Sequence, residues 1–138
     1  MKITHHNLEI ELKDAWWEEA KMNSFFPKSR TYQVDSKAFV DRPVFEVNLA
    51  DVSPVCRNSG VGIFNDNKEA SARERVVSIL RGFSSGAKIP PVEVVPQPNC
   101  NEFPYKLVHG AHRFYCSLAA GFSHIPAVKG FDINTLDQ

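Results

Sequence analysis

The chain has 138 residues, of which 43% are hydrophobic and 23% charged, and its 16 basic residues balance 16 acidic ones. This length and composition predict one globular domain with its own hydrophobic core. The neutral charge argues against strong sequence-independent binding to nucleic acid, which needs a surplus of Lys and Arg. No run approaches the roughly 20 apolar residues that a membrane helix needs, so we expect no membrane partner.

The cysteines Cys56, Cys100 and Cys116 are far apart and odd in number. They form no CxxC pair or Cys/His cluster of the kind that binds zinc, so no metal site is predicted. Reduced thiols of this kind indicate a cytoplasmic protein, and the start of the chain lacks the apolar core of a signal peptide.

Two elements are predicted in the first forty residues. Residues 8–12 alternate apolar and charged side chains, as a half-buried strand does. Asp14 is placed to cap a short helix over residues 15–22 that carries Trp16 and Trp17. Paired tryptophans are usually core residues, and a base-stacking platform is the alternative interpretation.

The middle of the chain predicts a strand, a loop and a helix. Residues 44–49 alternate again and predict the strand. Residues 57–66 are polar and contain glycine, which favours either a functional loop or a surface insertion. Ser71 and Glu74 fit a capping box at the start of the helix, and Gly86 ends it. Its apolar stripe consists of Ala72, Val76, Ile79, Leu80 and Phe83.

A neighbouring face of this helix carries Arg75, Ser78 and Gly82, which are three and four residues apart. Side chains at that spacing can face one site together. The alternative is that Arg73, Arg75 and Arg81 form a solvated basic side with no ligand.

The last third of the chain predicts two strands, a helix and a final strand. Residues 89–96 contain an entry loop and a strand, because the prolines at the start avoid the hydrogen-bonded ladder. A hairpin leads to a second strand at residues 106–108. The helix then begins after a turn at Gly110 and ends at Gly121, where a left-handed cap is expected, and residues 124–129 form the last strand. The mixed order of strands and helices predicts an α+β or mixed α/β fold.

The turn Gly110-Ala111-His112-Arg113 joins a strand to a helix start. Such a start offers unpaired backbone N–H groups and the positive end of the helix dipole. A guanidinium group beside it matches phosphate oxygens two at a time, so we predict a phosphate site. The structural alternative is that His112 caps the helix or bonds a carbonyl, and that Arg113 pairs with an acid such as Glu102.

Five elements in this order resemble the ParB/sulfiredoxin superfamily: Pro90-Pro91-Val92-Glu93-Val94, a hairpin, the Gly110-Ala111-His112-Arg113 turn, a helix closing at Gly121, and Ile125-Pro126-Ala127-Val128. The resemblance covers residues 44–130. It leaves residues 1–43 as an N-terminal extension packed on the core and residues 131–138 as a C-terminal tail. It implies a compact α+β single domain with a small mixed sheet and about three helices, which binds a nucleotide.

The resemblance also implies which residues contact the nucleotide. In relatives the G-x-H-R turn cradles phosphates, and in sulfiredoxins the preceding helix adds a basic residue, a serine and a threonine. Here those three positions hold Arg75, Ser78 and Gly82, so the threonine is not kept. The loop before that helix supplies further contacts in relatives. The implied nucleotide contacts are therefore Gly110, Ala111, His112, Arg113, Arg75, Ser78, Arg57 and Asn58.

Two departures from the family pattern limit the activity. Sulfiredoxins hold their catalytic cysteine where this chain has Ala111, and Cys116 lies a turn further along the helix. A sulfiredoxin-type reduction is therefore not expected. ParB proteins carry a G-E-R-R turn, bind CTP and continue into a helix-turn-helix domain that this sequence does not include. We therefore expect no centromere-binding role.

The first functional hypothesis is a small phosphotransferase or nucleotide hydrolase, because free-standing relatives include an ADP-dependent kinase of free serine. ATP or another nucleotide, with Mg²⁺, would be the cofactor, and a small molecule or protein would be the co-substrate. His112 would hydrogen-bond a phosphoryl oxygen, and Arg113 and Arg75 would neutralise developing charge. The reaction also needs a carboxylate to orient a nucleophile or a metal. The candidates are Glu46, Asp66 and Glu69.

Two alternatives remain. One is a non-catalytic module that senses a nucleotide and binds a partner protein, with the loop at residues 57–66 ordering when the nucleotide binds. The other is a nuclease-like protein that acts on DNA. Net neutrality and the lack of paired metal-binding carboxylates argue against the second alternative.

Overall fold

The computed structural model describes residues 1–39, 41–53 and 69–130, and at residues 38, 39 and 69–71 it describes the backbone but not the side chains. The described elements confirm a mixed α+β fold in a single domain. The strands are β1 Lys2–His5, β2 Leu8–Glu11, β3 Phe45–Asn48, β4 Val92–Pro96, β5 Tyr105–His109 and β6 His124–Lys129. The α-helices are α1 Asp14–Glu19, α2 Glu69–Ser85 and α3 Ala111–Ala120, and short 3₁₀ helices occupy Ser36–Phe39 and Leu49–Asp51.

The larger sheet has four strands in the order β3-β6-β4-β5. Strand β6 runs parallel to β4 and antiparallel to β3, while β4 and β5 form an antiparallel hairpin, so the predicted small mixed sheet is confirmed. The register places Glu93 of β4 opposite His109 at the end of β5. The turn that follows β5 therefore lies beside the start of β4.

The sheet curls until its two edges approach each other. Val52, just after β3, forms a parallel bridge with Tyr105 of β5, and the Ser53 N–H donates to the Tyr105 carbonyl at 3.0 Å. The rings of Phe45 and Tyr105 lie 6.1 Å apart. The chain after β3 thus partly covers the outer edge of β5, where exposed N–H and C=O groups would otherwise invite another strand.

Strand β1 is an element that the sequence did not predict. It pairs antiparallel with β2, with Ile3 opposite Ile10, and this hairpin packs against α3. The inward positions of β1 are Ile3 and His5, and both side chains are buried. Because histidine is usually counted as polar, the sequence of β1 does not show the alternation of apolar and polar side chains that predicts a strand.

The predicted N-cap role of Asp14 is wrong. Helix α1 begins at Asp14 itself, its N-cap is Lys13, and no side chain caps it. The Asp14 carboxylate instead accepts a hydrogen bond from the N-terminal ammonium of Met1 at 2.7 Å. The ammonium also donates to the Leu12 carbonyl at 2.6 Å, so the chain start is fixed beside the end of β2.

The predicted capping box at Ser71 and Glu74 is also wrong, because α2 begins two residues earlier, at Glu69. The apolar stripe of this helix is confirmed: Ala72, Val76, Leu80 and Phe83 are buried and Ile79 is partly buried. Helix α2 packs against both α1 and α3. It ends as predicted before Gly86, whose φ is 73°.

One hydrophobic core contains side chains from both ends of the chain. Ile3, Leu12 and Trp16 belong to it together with Val76 and Ile125. None of the described helices is both long enough and apolar enough to cross a membrane.

Candidate functional site

The predicted turn between β5 and α3 depends on the backbone of Gly110. Its φ is 107°, a left-handed conformation that glycine adopts without a steric penalty. A Cβ at this position would lie 2.6 Å from Cγ1 of Val92 and 3.1 Å from Nη2 of Arg113. Glycine is therefore required both by the dihedral angle and by the close approach of β4.

The start of α3 presents backbone N–H groups that have no acceptor within the helix. The first helical hydrogen bond runs from the Phe114 N–H to the Gly110 carbonyl at 2.9 Å, and Gly110 has no side chain to cap the end. The N–H groups of residues 111–113 thus point out of the helix end. Together with the positive end of the helix dipole, they favour an anion.

Arg113 is anchored on the neighbouring strand entry. Its Nη1 donates to the Pro91 carbonyl at 2.8 Å and to the Pro90 carbonyl at 3.1 Å, rather than to the suggested acid Glu102. The guanidinium has five N–H donors, of which those on Nε and Nη2 are not used by these two bonds. Nη2 lies beside Gly110, so the guanidinium packs against the turn while its Nε and Nη2 donors take no part in these two bonds.

Tyr32 belongs to the same arrangement, although no pattern in the sequence indicates it. Its hydroxyl donates to the Pro90 carbonyl at 2.7 Å, the oxygen that also accepts from Arg113. Burial raises the pKa of the Tyr32 hydroxyl well above its ordinary value, and the positive charge of Arg113 offsets part of that rise. The chain before β3 therefore helps to fix the carbonyl that orients Arg113.

His112 and Ala111 lie inside the protein rather than on its surface. The His112 side chain is 8% exposed and its Nε2 is buried, while Arg113 is partly exposed. Successive helical side chains project about 100° apart, so these two side chains leave the helix in different directions. A ligand at the helix end meets Arg113 and the backbone before it meets the imidazole ring.

Arg75 and Ser78 are both exposed on α2. For Arg75 this agrees with the alternative prediction of a solvated basic side on this helix. Ser78 borders a shallow groove where the guanidinium of Arg73 binds Glu19 of α1 at 2.5–3.0 Å. Gly82 is buried, and a Cβ there would lie 2.8 Å from Cδ1 of Ile89. Gly82 therefore serves close packing, and no described contact joins Arg75 or Ser78 to Arg113.

Glu46 lies on β3, and its carboxylate pairs with the guanidinium of Arg30. It stands opposite Pro126 of β6, and β6 separates β3 from β4. In the described ranges no contact connects it to Arg113. The other named candidates, Arg57, Asn58 and Asp66, lie outside the described residues, as does the side chain of Glu69.

Cys116 is completely buried in α3, and burial raises the pKa of its thiol far above the ordinary value. A thiol in that environment stays protonated and is a poor nucleophile. Among residues 1–39, 41–53 and 69–130, no group of three or more His, Cys, Asp or Glu side chains is arranged to hold a metal ion.

Comparison of the chain with protein-family models, with curated proteins and with solved structures finds no significant match.

Proposed function

We propose that the turn from β5 into α3 binds the phosphate groups of a nucleotide, in a domain of the ParB/sulfiredoxin type. The observation that carries this proposal is the anchoring of Arg113 beside the open N-terminus of α3. Two carbonyl groups hold the guanidinium next to Gly110, and no hydrogen bond given for the described residues uses its Nε or Nη2 donors. A positioned guanidinium and a helix N-terminus together make a strong phosphate site.

The phosphates would be held by the N–H groups of residues 111–113 and by Arg113. The Gly110 backbone lets the strand turn sharply enough for the helix to begin there. Mg²⁺ enters the proposal as the partner of the nucleotide phosphates, which is how this ion commonly reaches such sites. Arg75, Ser78, Arg57 and Asn58 remain candidate contacts for the rest of the nucleotide.

The proposed activity is phosphoryl transfer or nucleotide hydrolysis, since that chemistry needs mainly positioning and charge stabilisation. The pairing of Glu46 with Arg30 favours the second candidate, a nucleotide-sensing module without catalysis. A carboxylate that is neutralised by an arginine must first be released before it can orient a hydroxyl group or a metal. Formation of ADP from bound ATP, measured over time with and without a hydroxyl acceptor, separates the two candidates, because transfer and hydrolysis both convert ATP to ADP.

The binding proposal is tested by Arg113→Ala. We expect nucleotide affinity to fall by about 1.5–3 kcal/mol, roughly tenfold to 150-fold, as for the loss of a hydrogen bond to a charged group. Isothermal titration with ATP, ADP, CTP and GTP, each with and without Mg²⁺, gives the affinities. Arg81→Ala is the control, because that side chain is exposed on α2 and its one described hydrogen bond is to the Glu19 carbonyl at 3.4 Å.

The loss of the Arg113 bonds to Pro90 and Pro91 also destabilises the fold, so binding is measured well below the unfolding midpoint of each variant. Arg113→Lys keeps the charge but not the planar fork, and we expect an intermediate affinity. Equal affinity of the wild type and Arg113→Ala for the nucleotide would contradict the proposal, as would no binding of any nucleotide to the wild type.

A further inference from the structure

A cavity of about 490 Å³ lies between residues 21–33 and the end of α2. This volume is within the range of small-molecule sites. Four aromatic rings in mutual contact form its floor: Phe83 stacks on Tyr32 at 5.5 Å and meets the edge of Phe122 at 5.2 Å, and Phe25 meets Phe122 at 5.9 Å. Three of these rings are buried and Phe25 is partly buried, so together they give the cavity an apolar floor.

Phe26 stands at the rim of this cavity with 79% of its surface exposed. It is the one exposed large apolar side chain in the part of the chain that the structure describes. Its neighbour Phe25 is partly buried against the core. An exposed ring next to an aromatic floor is suited to stack on a flat ligand.

The charges around the cavity have one sign. Lys21 and Lys28 line it, and none of the described lining residues is Asp or Glu. Neither ammonium group has an ion-pair partner within the described ranges, although the protein as a whole is neutral. The hydroxyl groups of Ser24 and Ser29 add hydrogen-bonding groups at the same rim. This combination favours an anion.

Lys21 occupies a position that disfavours lysine. Its φ is 60°, in the left-handed region, where it follows Ala20, the C-cap of α1, and donates its N–H to the Glu18 carbonyl at 3.0 Å. Glycine is the usual residue at such a helix end, and another residue there costs stability. Lys21 thus places a positive charge at the rim of the cavity although its backbone conformation lowers the stability of the fold.

We propose that this cavity binds a small planar aromatic anion, whose ring lies between Phe26 and the aromatic floor and whose negative group contacts Lys21 and Lys28. The proposal does not depend on the phosphate site, because Arg113 does not line the cavity.

The test uses two fluorescent probes that share one ring system. The anionic probe is 1-anilinonaphthalene-8-sulfonate, and its uncharged counterpart is N-phenyl-1-naphthylamine. We expect the anionic probe to bind at one saturable site and to shift the amide resonances of Gly86 and Ala87, which line the cavity. The uncharged probe should bind at least about fivefold more weakly, as expected when one partly exposed charge contact is missing.

The variants distinguish this site from general surface binding. Lys21→Gly should weaken the anionic probe about fivefold and yet raise the unfolding midpoint, because glycine relieves the left-handed backbone. Phe26→Ala should weaken it about tenfold through lost stacking. Lys28→Gln gives a second charge test in case Lys21→Gly folds poorly. Lys2→Gln, an exposed lysine on β1, is the matched control and should leave the affinity unchanged.

Three results would overturn the proposal. The first is the absence of saturable binding, and the second is equal affinity for the charged and uncharged probes. The third is an anionic probe that shifts the amide resonances of residues 111–113 instead of those of Gly86 and Ala87, which would assign the probe to the turn between β5 and α3. Failure of nucleotide binding in the wild type, by contrast, leaves this result untouched.

Discussion

Arg113 is held by main-chain carbonyl groups, and this decides what it can attract. A carboxylate partner would cancel its charge, whereas the carbonyls of Pro90 and Pro91 orient the group without neutralising it. Within residues 1–39, 41–53 and 69–130 no carboxylate pairs with Arg113, so its positive charge adds to the helix dipole at the end of α3. A second residue, Tyr32, supports this arrangement, because its hydroxyl donates to the same Pro90 oxygen.

Gly110→Ala should be strongly destabilising. The new Cβ would approach Val92 to 2.6 Å at a φ of 107°, so strain and overpacking act together. We expect a loss of about 2–4 kcal/mol in the free energy of unfolding, measured by urea denaturation. Gly86→Ala is the matched control, because its φ is also positive but nothing lies within 4 Å of a Cβ there. A loss at Gly110 no greater than at Gly86 would show that the backbone can relax.

At the scale of elements, α1 is held in place by packing rather than by its own stability. It has six residues, too few for a stable isolated helix, and no side chain caps its start. Trp16 is buried in the core, while the adjacent Trp17 is only partly buried against it. The neighbouring tryptophans therefore provide an internal comparison.

We expect Trp16→Ala to lower the free energy of unfolding by about 3–5 kcal/mol, because a large buried side chain leaves a cavity. Trp17→Ala should cost clearly less, and both values come from the same denaturation experiment. Equal losses would mean that the two rings contribute equally to the core, against their difference in burial.

The elements that could be predicted are those whose signals are local. The stripe of α2, the hairpin of β4 and β5, and the helix between Gly110 and Gly121 all follow from spacing and from glycine. Gly121 has the expected left-handed φ of 92°. Strand β1 could not be predicted, because one of its two inward positions is a histidine and its residues therefore show no clear alternation of apolar and polar side chains. Its pairing with β2 is seen only in the folded hairpin.

The candidate site could be predicted only in its local part. The turn and the helix start follow from the sequence, but the partners of Arg113 lie 22 and 23 residues away in the chain and are carbonyl groups, which every residue has. The pairing of Glu46 with Arg30 and the contact of Tyr32 with Pro90 likewise depend on the folded chain. The sequence therefore predicts the turn and the helix start but not the contacts that hold Arg113 beside them.

At the scale of the whole molecule, His5 ties the N-terminal hairpin to the large sheet. Its Nε2 lies 2.7 Å from the Val52 carbonyl, and its ring meets Phe114 of α3 edge-on at 5.1 Å. Burial lowers the pKa of His5 below its ordinary value of 6.5, the hydrogen bond to Val52 opposes this effect, and nearby His6 adds to it. The folded protein thus favours the neutral imidazole.

Since the unfolded chain binds this proton more readily, the contribution of His5 to stability is complete above about pH 6.5 and is lost as the pH falls through its lowered pKa. We expect the free energy of unfolding to decrease between about pH 7 and pH 5, a range above most carboxylate titrations. His5→Asn should be less stable at neutral pH but should show a smaller decrease. An unchanged pH slope in that variant would assign the effect to another group.

The position of β6 has a consequence for the order in which the protein is made. Among the described strands of the sheet it comes last in sequence, yet it lies inside the sheet, between β3 and β4. Because the ribosome makes β6 after β3 and β4, the β3 edge and the inner β4 edge lack their partner until residues 124–129 have joined the sheet. Such edges pair readily with other strands, so the newly made chain is exposed to aggregation until this segment is in place.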